Sequence, residues 1–210
     1  MPSLEWNRRF GVDLVHFSRK NPIDQFYGDQ WGSVEDRDDL IAVRRKFLDP
    51  FVTLDKVCME IGSGGGRWTQ YLLPCRQLIC VELNPEMFDY IRKRFGDPKH
   101  VSYITTHGDD LPSVPNAYVD FIFSFGTFVH LEMERIARYV ESMSLVAKTG
   151  ADVILQISNR HKEHSLAEKP SFSNNSPEFM ATTFSEHGLS VVDVDNEVLL
   201  HSTIIHGRKL

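Results

Sequence analysis

At 210 residues, the chain suits one domain of ordinary size, or one domain with a short N-terminal extension. Its 41% hydrophobic and 25% charged residues match a folded globular balance. No stretch approaches the ~18 consecutive apolar residues of a membrane span, and MPSLEWNRRFGVDL lacks the apolar core of a secretory signal. A formal charge of −6 without a basic stripe disfavours nucleic acid, whose affinity comes largely from neutralised phosphates. The densest basic run, Arg44-Arg45-Lys46, reads as a solvated helix face. A cytoplasmic protein without membrane or nucleic-acid partners is expected.

In chain order, residues 1–32 are aromatic-rich and irregular, broken by Pro22, Gly28 and Gly32. Ser33 is placed to cap a helix running to Phe47, with Leu40, Val43 and Phe47 on one face and Pro50 closing it. Residues 1–50 are therefore expected as a helical or lid extension packed on the core, and 51–210 as the main domain. From Lys56 the pattern alternates. KVCMEI (Lys56–Ile61) reads as a strand, followed by a glycine loop and a short helix ending before Pro74. QLICVEL (Gln77–Leu83) is a second strand, with Pro85 opening a helix to Phe95. Val101–Thr105 is a third, and VDFIFSF (Val119–Phe125) a fourth that is apolar on both faces. Glu132–Lys148 reads as a helix stopped by Gly150, then Ala151–Ile157 as a fifth strand.

The tail has a different rhythm. A helix over Pro177–His187 precedes strands at Leu189–Val198 and Ser202–His206, whose link is too short for a helical crossover, so this pair should be antiparallel. Ser158–Ser176 is polar and rich in serine and asparagine, and reads as a long structureless loop: a lid, a substrate loop or simply disordered chain. The expected fold is a doubly wound Rossmann-like α/β sheet of about seven strands, mostly parallel, with helices on both faces. Cys58 and Cys80 sit in apolar runs and read as core residues; with Cys75 they make no CxxC pair, so no thiolate zinc site is expected. His161, Glu163 and His164 resemble a ligand cluster but supply no set that would hold a metal.

The strongest signal is Glu60-Ile-Gly62-Ser63-Gly64-Gly65-Gly66, directly after the first strand. Glycines there allow a sharp turn and close approach to a ligand, and ligands of such sheets bind at the carboxyl ends of the strands. Glu82, ending the second strand, is placed to take both hydroxyls of a ribose. A nicotinamide dinucleotide site shares these features. However, the GxGxxG fingerprint needs a third glycine where Arg67 stands. A carboxylate at Glu60 suits a ligand with a positive group better than a pyrophosphate.

E-x-G-x-G-x-G with an acidic residue closing the next strand resembles the class I S-adenosylmethionine-dependent methyltransferases, over roughly residues 54–160 and the two-strand tail. The resemblance implies S-adenosyl-L-methionine as cofactor. It puts Gly62, Ser63 and Gly64 against the methionine part, with Gly66 a further cofactor residue of the loop, Glu60 steering the amino group indirectly, Glu82 on the ribose, and Leu83 and Met87 beside the adenine. The family's adenine-binding aspartate precedes a Leu-Pro pair. Here Leu111-Pro112 is preceded by His107, Gly108 and Asp109, either a cofactor contact or turn residues capping a strand.

The segment Ser124-Phe125-Gly126-Thr127-Phe128-Val129-His130 would face the donor sulfur and the acceptor. His130 is then the candidate general base, or else a residue capping the next helix. No Asn-Pro-Pro-Tyr-like tetrad stands there, which argues for an oxygen acceptor. The wider match, from YGDQWG (Tyr27–Gly32) through GGGRWT to ISNR, resembles a bacterial group linked to sugar methylation. Tyr27 and Trp31 are lid candidates over the cofactor, or core aromatics. The expectation is O-methylation of a small hydroxylated, sugar-like acceptor by in-line transfer, with a homodimer left open. The alternatives are N-methylation of a small amine and a non-catalytic cofactor-binding regulatory protein.

Overall fold

The computed structural model describes residues 27–167 and 171–210. The part of the expected extension before Tyr27, and residues 168–170 of the expected loop, lie outside the described residues.

The period of two along each strand decides which layer a side chain enters. In β1 (Val57–Ile61), Val57, Met59 and Ile61 join one core and Cys58 the other. β2 (Gln77–Glu82) splits in the same way, Ile79 and Val81 against Leu78 and Cys80. In β4 (Val119–Ser124), Ile122 opposes Phe121 and Phe123. Strands buried on both faces need a helical layer on each side. On the first face lie α4 (Met133–Val146) and α6 (Pro177–Glu186), through Ile136, Val140, Met143, Met180 and Phe184. On the second lie α1 (Asp38–Phe47), α2 (Thr69–Leu72) and α3 (Met87–Phe95), through Leu40, Val43, Phe47, Leu72, Phe88 and Ile91. The expected apolar face of α1 is thus part of the core.

β3 (Val101–Thr105), β5 (Ala147–Ser158), β6 (Leu189–Asp195) and β7 (Ser202–Lys209) complete a seven-stranded sheet of order β3-β2-β1-β4-β5-β7-β6. The first five strands are mutually parallel, and β7 runs antiparallel to both neighbours. This is the expected doubly wound Rossmann-like sheet. Its strand order reverses between β1 and β4, where a ligand crevice opens at the carboxyl ends. Among the described residues, no helix is long and apolar enough to cross a membrane.

Three local expectations are corrected. Ser33 does not cap a helix: its hydroxyl accepts the Glu35 N–H at 2.9 Å in a turn, and α1 starts at Asp38. Gly150 does not stop α4, which passes directly into β5 at Ala147. The Leu145 and Val146 carbonyls are taken by the N–H groups of Ala117 and Tyr118, and Ala147 pairs with Val119. Gly150, at φ +82°, lies inside β5 where the β4–β5 register slips.

The third correction is the segment after β5, which is not a structureless loop. It contains α5 (Glu163–Ala167), and its far end is sewn to the turn following β4. Ser173 N–H donates to the Val129 carbonyl at 2.8 Å. Asn175 Nδ2 donates to the Leu131 carbonyl at 3.1 Å and the Ser173 hydroxyl at 2.8 Å. Ser158 Oγ donates to the Ser173 carbonyl at 2.7 Å. The serines and asparagines that made the sequence look like solvated loop are these buried hydrogen-bonding groups. Ser176 then caps α6, accepting the Phe179 N–H at 3.3 Å ahead of Pro177.

Candidate active site

A cavity of about 550 Å³ opens at the carboxyl ends of β1, β2, β4 and β5, well within the size range of small-molecule sites. Its floor is the glycine loop. The Gly62 N–H reaches the Val81 carbonyl at 2.8 Å, which turns the chain sharply off β1. Gly62 sits at φ +77°, and a Cβ there would lie 1.7 Å from Thr127 Oγ1, so the loop closes against the turn after β4. On the other side, a Cβ on Gly65 would lie 2.4 Å from the Tyr27 carbonyl oxygen.

Two buried carboxyls stand behind this loop, and they differ. Glu82, at the end of β2, accepts three backbone N–H groups, from Gly64 at 3.0 Å, Leu83 at 2.8 Å and Asn84 at 3.3 Å. Burial still holds it above the usual carboxylate range, with those donors opposing. It is on the cavity wall. Glu60 is behind the wall, takes the Thr69 hydroxyl at 2.5 Å, and is pushed up to about 8 by burial, against that hydrogen bond. Near neutral pH, the group expected to act as an anion is therefore largely protonated until a cation arrives beside it.

Of the residues expected from sequence, Gly62, Ser63, Gly64, Glu82, Leu83, Met87, Gly108, Phe125 and His130 share the cavity wall with Tyr27 and Trp31. Tyr27 leans over the loop: a Cβ on Gly64 would lie 3.1 Å from its ring. Burial, then the neighbouring Glu82, raise the Tyr27 phenol pKa. Trp31 meets it edge-on at 5.1 Å. The other expected residues stand off the wall. Gly66 faces Phe95 instead, a Cβ there lying 2.7 Å from that ring. Ser124 Oγ is turned back onto the Ile61 carbonyl at 2.7 Å.

His107 and Asp109 are also off the wall, for a physical reason. His107 is exposed and pairs through Nδ1 with Asp110 at 2.6 Å, and Asp109 is held by Arg135 at 3.1 Å and Arg138 at 2.8 Å. Asp109, the nearest carboxylate in sequence, is thus spent on helix α4. Gly108 and Thr106 face the cavity, with Thr106 Oγ1 and the Tyr139 hydroxyl 2.9 Å apart.

Beyond the loop, the cavity continues toward His130. Its Nδ1 is 2.6 Å from the Ser171 carbonyl. A carbonyl accepts only from an N–H, so the neutral ring carries its proton on Nδ1 and Nε2 is the basic nitrogen. Burial lowers the imidazole pKa, with the Ser171 carbonyl opposing. Phe172 meets the His130 ring edge-on at 5.5 Å and His201 at 5.2 Å on its other side. Gln156 accepts the Gly126 N–H at 2.7 Å and fixes the turn that carries Phe125. Sequence reasoning missed Thr127, Tyr139, Phe172 and His201. Thr127, inside the segment after β4, and Phe172, inside the expected lid or substrate loop, carried a signal; Tyr139 and His201 reach the site from elements remote in sequence.

A glycine loop after β1, a buried carboxyl at the end of β2 and a 3-2-1-4-5-7-6 sheet around one cavity agree with the S-adenosylmethionine-dependent methyltransferase fold. A methyltransferase-domain family model matches residues 59–155, from within β1 through most of β5, and supports the class I S-adenosylmethionine-dependent methyltransferases as the family these residues resemble. In fold it is similar to an S-adenosylmethionine-dependent methyltransferase from Mesorhizobium loti, at 11% identity and TM-score 0.71 over 84% of this chain and 100% of that one. It is also similar to the N-methyltransferase NodS of Bradyrhizobium japonicum in complex with S-adenosyl-L-homocysteine, at 16% identity and TM-score 0.66 over 84% and 90% of the two chains. A third is the 1,6-didemethyltoxoflavin-N1-methyltransferase of Burkholderia thailandensis, with bound 1,6-didemethyltoxoflavin and S-adenosylhomocysteine, at 16% identity and TM-score 0.67 over 100% and 90%. At such identities the likeness is one of fold. No curated protein matches the chain in sequence.

Proposed function

We propose that this enzyme methylates an oxygen of a small hydroxylated, sugar-like acceptor, with His130 removing the proton. The observation that carries this reading is the tautomer of His130: a buried, neutral imidazole on the cavity wall whose basic nitrogen is Nε2. A hydroxyl must lose its proton as its oxygen gains the methyl group, and a nearby neutral imidazole accepts it. Phe125, Phe172 and His201 give the acceptor end flat faces and one more polar ring, which suit an apolar sugar face with hydroxyls at its edge.

In this reading, Gly62, Ser63, Gly64, Glu82, Leu83, Met87 and Gly108 hold the cofactor, and Tyr27 and Trp31 cover it. Glu60 acts from behind the loop through Thr69. The cofactor supplies an activated methyl on a sulfonium. The protein's share is alignment and the exclusion of water, for which the Tyr27 side of the loop is built. The test is transfer of labelled methyl from S-adenosylmethionine to a panel of methyl glycosides, nucleotide sugars and small amines. Label on a glycoside or nucleotide sugar, with a rate that needs His130, supports the reading. Transfer confined to amines contradicts it and makes the enzyme an N-methyltransferase.

A further inference from the structure

Three arginines surround the turn at residues 27–32, and two of them already have carboxylates. Arg37 grips Asp39, with Nε to Oδ1 at 3.0 Å, and Arg94 holds Asp29 at 3.0 Å. Arg67 stands differently. It lies on the cavity wall, half-buried, with its stem beside Gly28, where a Cβ would lie 3.2 Å from the Arg67 Cβ. Its Nη2 donates to the Trp31 carbonyl at 3.1 Å, while its Nε is buried without an acceptor. Asp29 and Asp39 act on it only from a distance, each being held by another arginine. Burial and the neighbouring Arg37 pull its pKa down to about 10, which leaves it cationic at neutral pH. The next residue repeats the pattern: Trp68 Nε1 is a buried donor without an acceptor, on the wall of the same cavity.

A half-buried guanidinium on a cavity wall, with one N–H left without an acceptor, is complementary to an anion inside that cavity. A guanidinium presents a planar fork matched to carboxylate oxygens. We propose that Arg67 is the receptor for an oxyanion of carboxylate type on a ligand in this cavity, with the Trp68 indole N–H as a further donor. This rests on the reading that the cavity takes an S-adenosyl cofactor beside its acceptor. The oxyanion then belongs either to the amino-acid end of the cofactor or to an acid group on the acceptor.

Calorimetry on the parent, Arg67→Gln, Arg67→Lys and Trp68→Phe separates the sources, with two probes. S-adenosylhomocysteine carries the amino-acid end, and 5′-methylthioadenosine lacks it. Acetate is then titrated into the S-adenosylhomocysteine-saturated proteins, followed by tryptophan fluorescence. If the cofactor supplies the group, Arg67→Gln weakens S-adenosylhomocysteine by about 10–100-fold and leaves 5′-methylthioadenosine within about twofold, with Arg67→Lys between. If the acceptor supplies it, S-adenosylhomocysteine affinity is kept, and the saturated parent binds acetate while Arg67→Gln does not. Two results overturn the proposal. Equal weakening of both nucleosides by Arg67→Gln means that Arg67 only fastens the 27–32 turn. Unchanged nucleoside binding with no Arg67-dependent acetate binding means that no oxyanion is held. Should Arg67→Gln unfold, Arg67→Lys and Trp68→Phe carry the same comparison. A parent that binds neither nucleoside refutes the cofactor reading instead, and acetate binding to the ligand-free parent and variants then decides the oxyanion proposal alone.

Discussion

The two ends of the cavity are built in opposite ways. The cofactor end is local: residues 62–66 make one turn directly after β1, closed by Glu82 at the end of the neighbouring strand. The acceptor end is assembled at long range. His130 from the turn after β4 meets Ser171, 41 residues on, and His201 arrives from the β6–β7 connection. The first depends on backbone conformation at a few glycines, so it should fail abruptly. The second depends on many side-chain hydrogen bonds, so it should degrade by steps.

The sharpest break is expected at Gly62. A Val there must adopt φ +77° and place its Cβ 1.7 Å from Thr127 Oγ1. Backbone strain and the clash together should weaken S-adenosylhomocysteine binding by at least about 100-fold. Calorimetry beside a circular dichroism spectrum checks this; near-parental affinity in a folded Gly62→Val would show that the loop is not rigid. At the other end, His130→Ala should cut turnover by about 10²–10⁴-fold, while cofactor affinity barely changes. The parental rate should rise with pH through a pKa below the ordinary imidazole value, because burial disfavours the imidazolium, and reach its plateau by neutrality. The variant should lose that limb.

Smaller effects sharpen the contrast. Asn175 is fully buried and donates to Leu131, Ser158 and Ser173. Asn175→Ala should lower stability by about 1–3 kcal/mol in urea denaturation, and weaken acceptor binding more than cofactor binding. The least effect belongs to Glu60. Its pKa of about 8 should fall when the ligand's ammonium group binds nearby, so binding releases a proton below that pH. Affinity for S-adenosylhomocysteine should therefore rise as pH increases toward 8. Calorimetry in buffers of different ionisation heat counts that proton, and Glu60→Gln should abolish its release.

The same division explains what could be read in advance. The glycine loop, Glu82 and the alternation of β1, β2 and β4 are written in consecutive residues, so periodicity and turn chemistry exposed them. Where a residue's partner lies far along the chain, local reading went astray. Asp109 looked available until Arg135 and Arg138 of α4 were found on it. Gly150 looked like a helix stop, but the pairing of Ala147 with Val119 ends the helix earlier. Polar composition made 158–176 look unfolded, because nothing in the segment itself shows that Asn175 meets carbonyls more than forty residues back. Arg67 was noticed only as a missing glycine; its want of a carboxylate is visible only in three dimensions.

The central claim is that the glycine loop and Glu82 hold an S-adenosyl cofactor, and calorimetry of the parent and Glu82→Ala tests it most directly. The parent should bind S-adenosylhomocysteine and show no heat with NAD or NADP. Glu82→Ala, folded by circular dichroism, should bind more weakly by about 1.5–3 kcal/mol, the range for hydrogen bonds to a charged group. Binding of a nicotinamide dinucleotide, or unchanged S-adenosylhomocysteine affinity in a folded Glu82→Ala, would contradict the account.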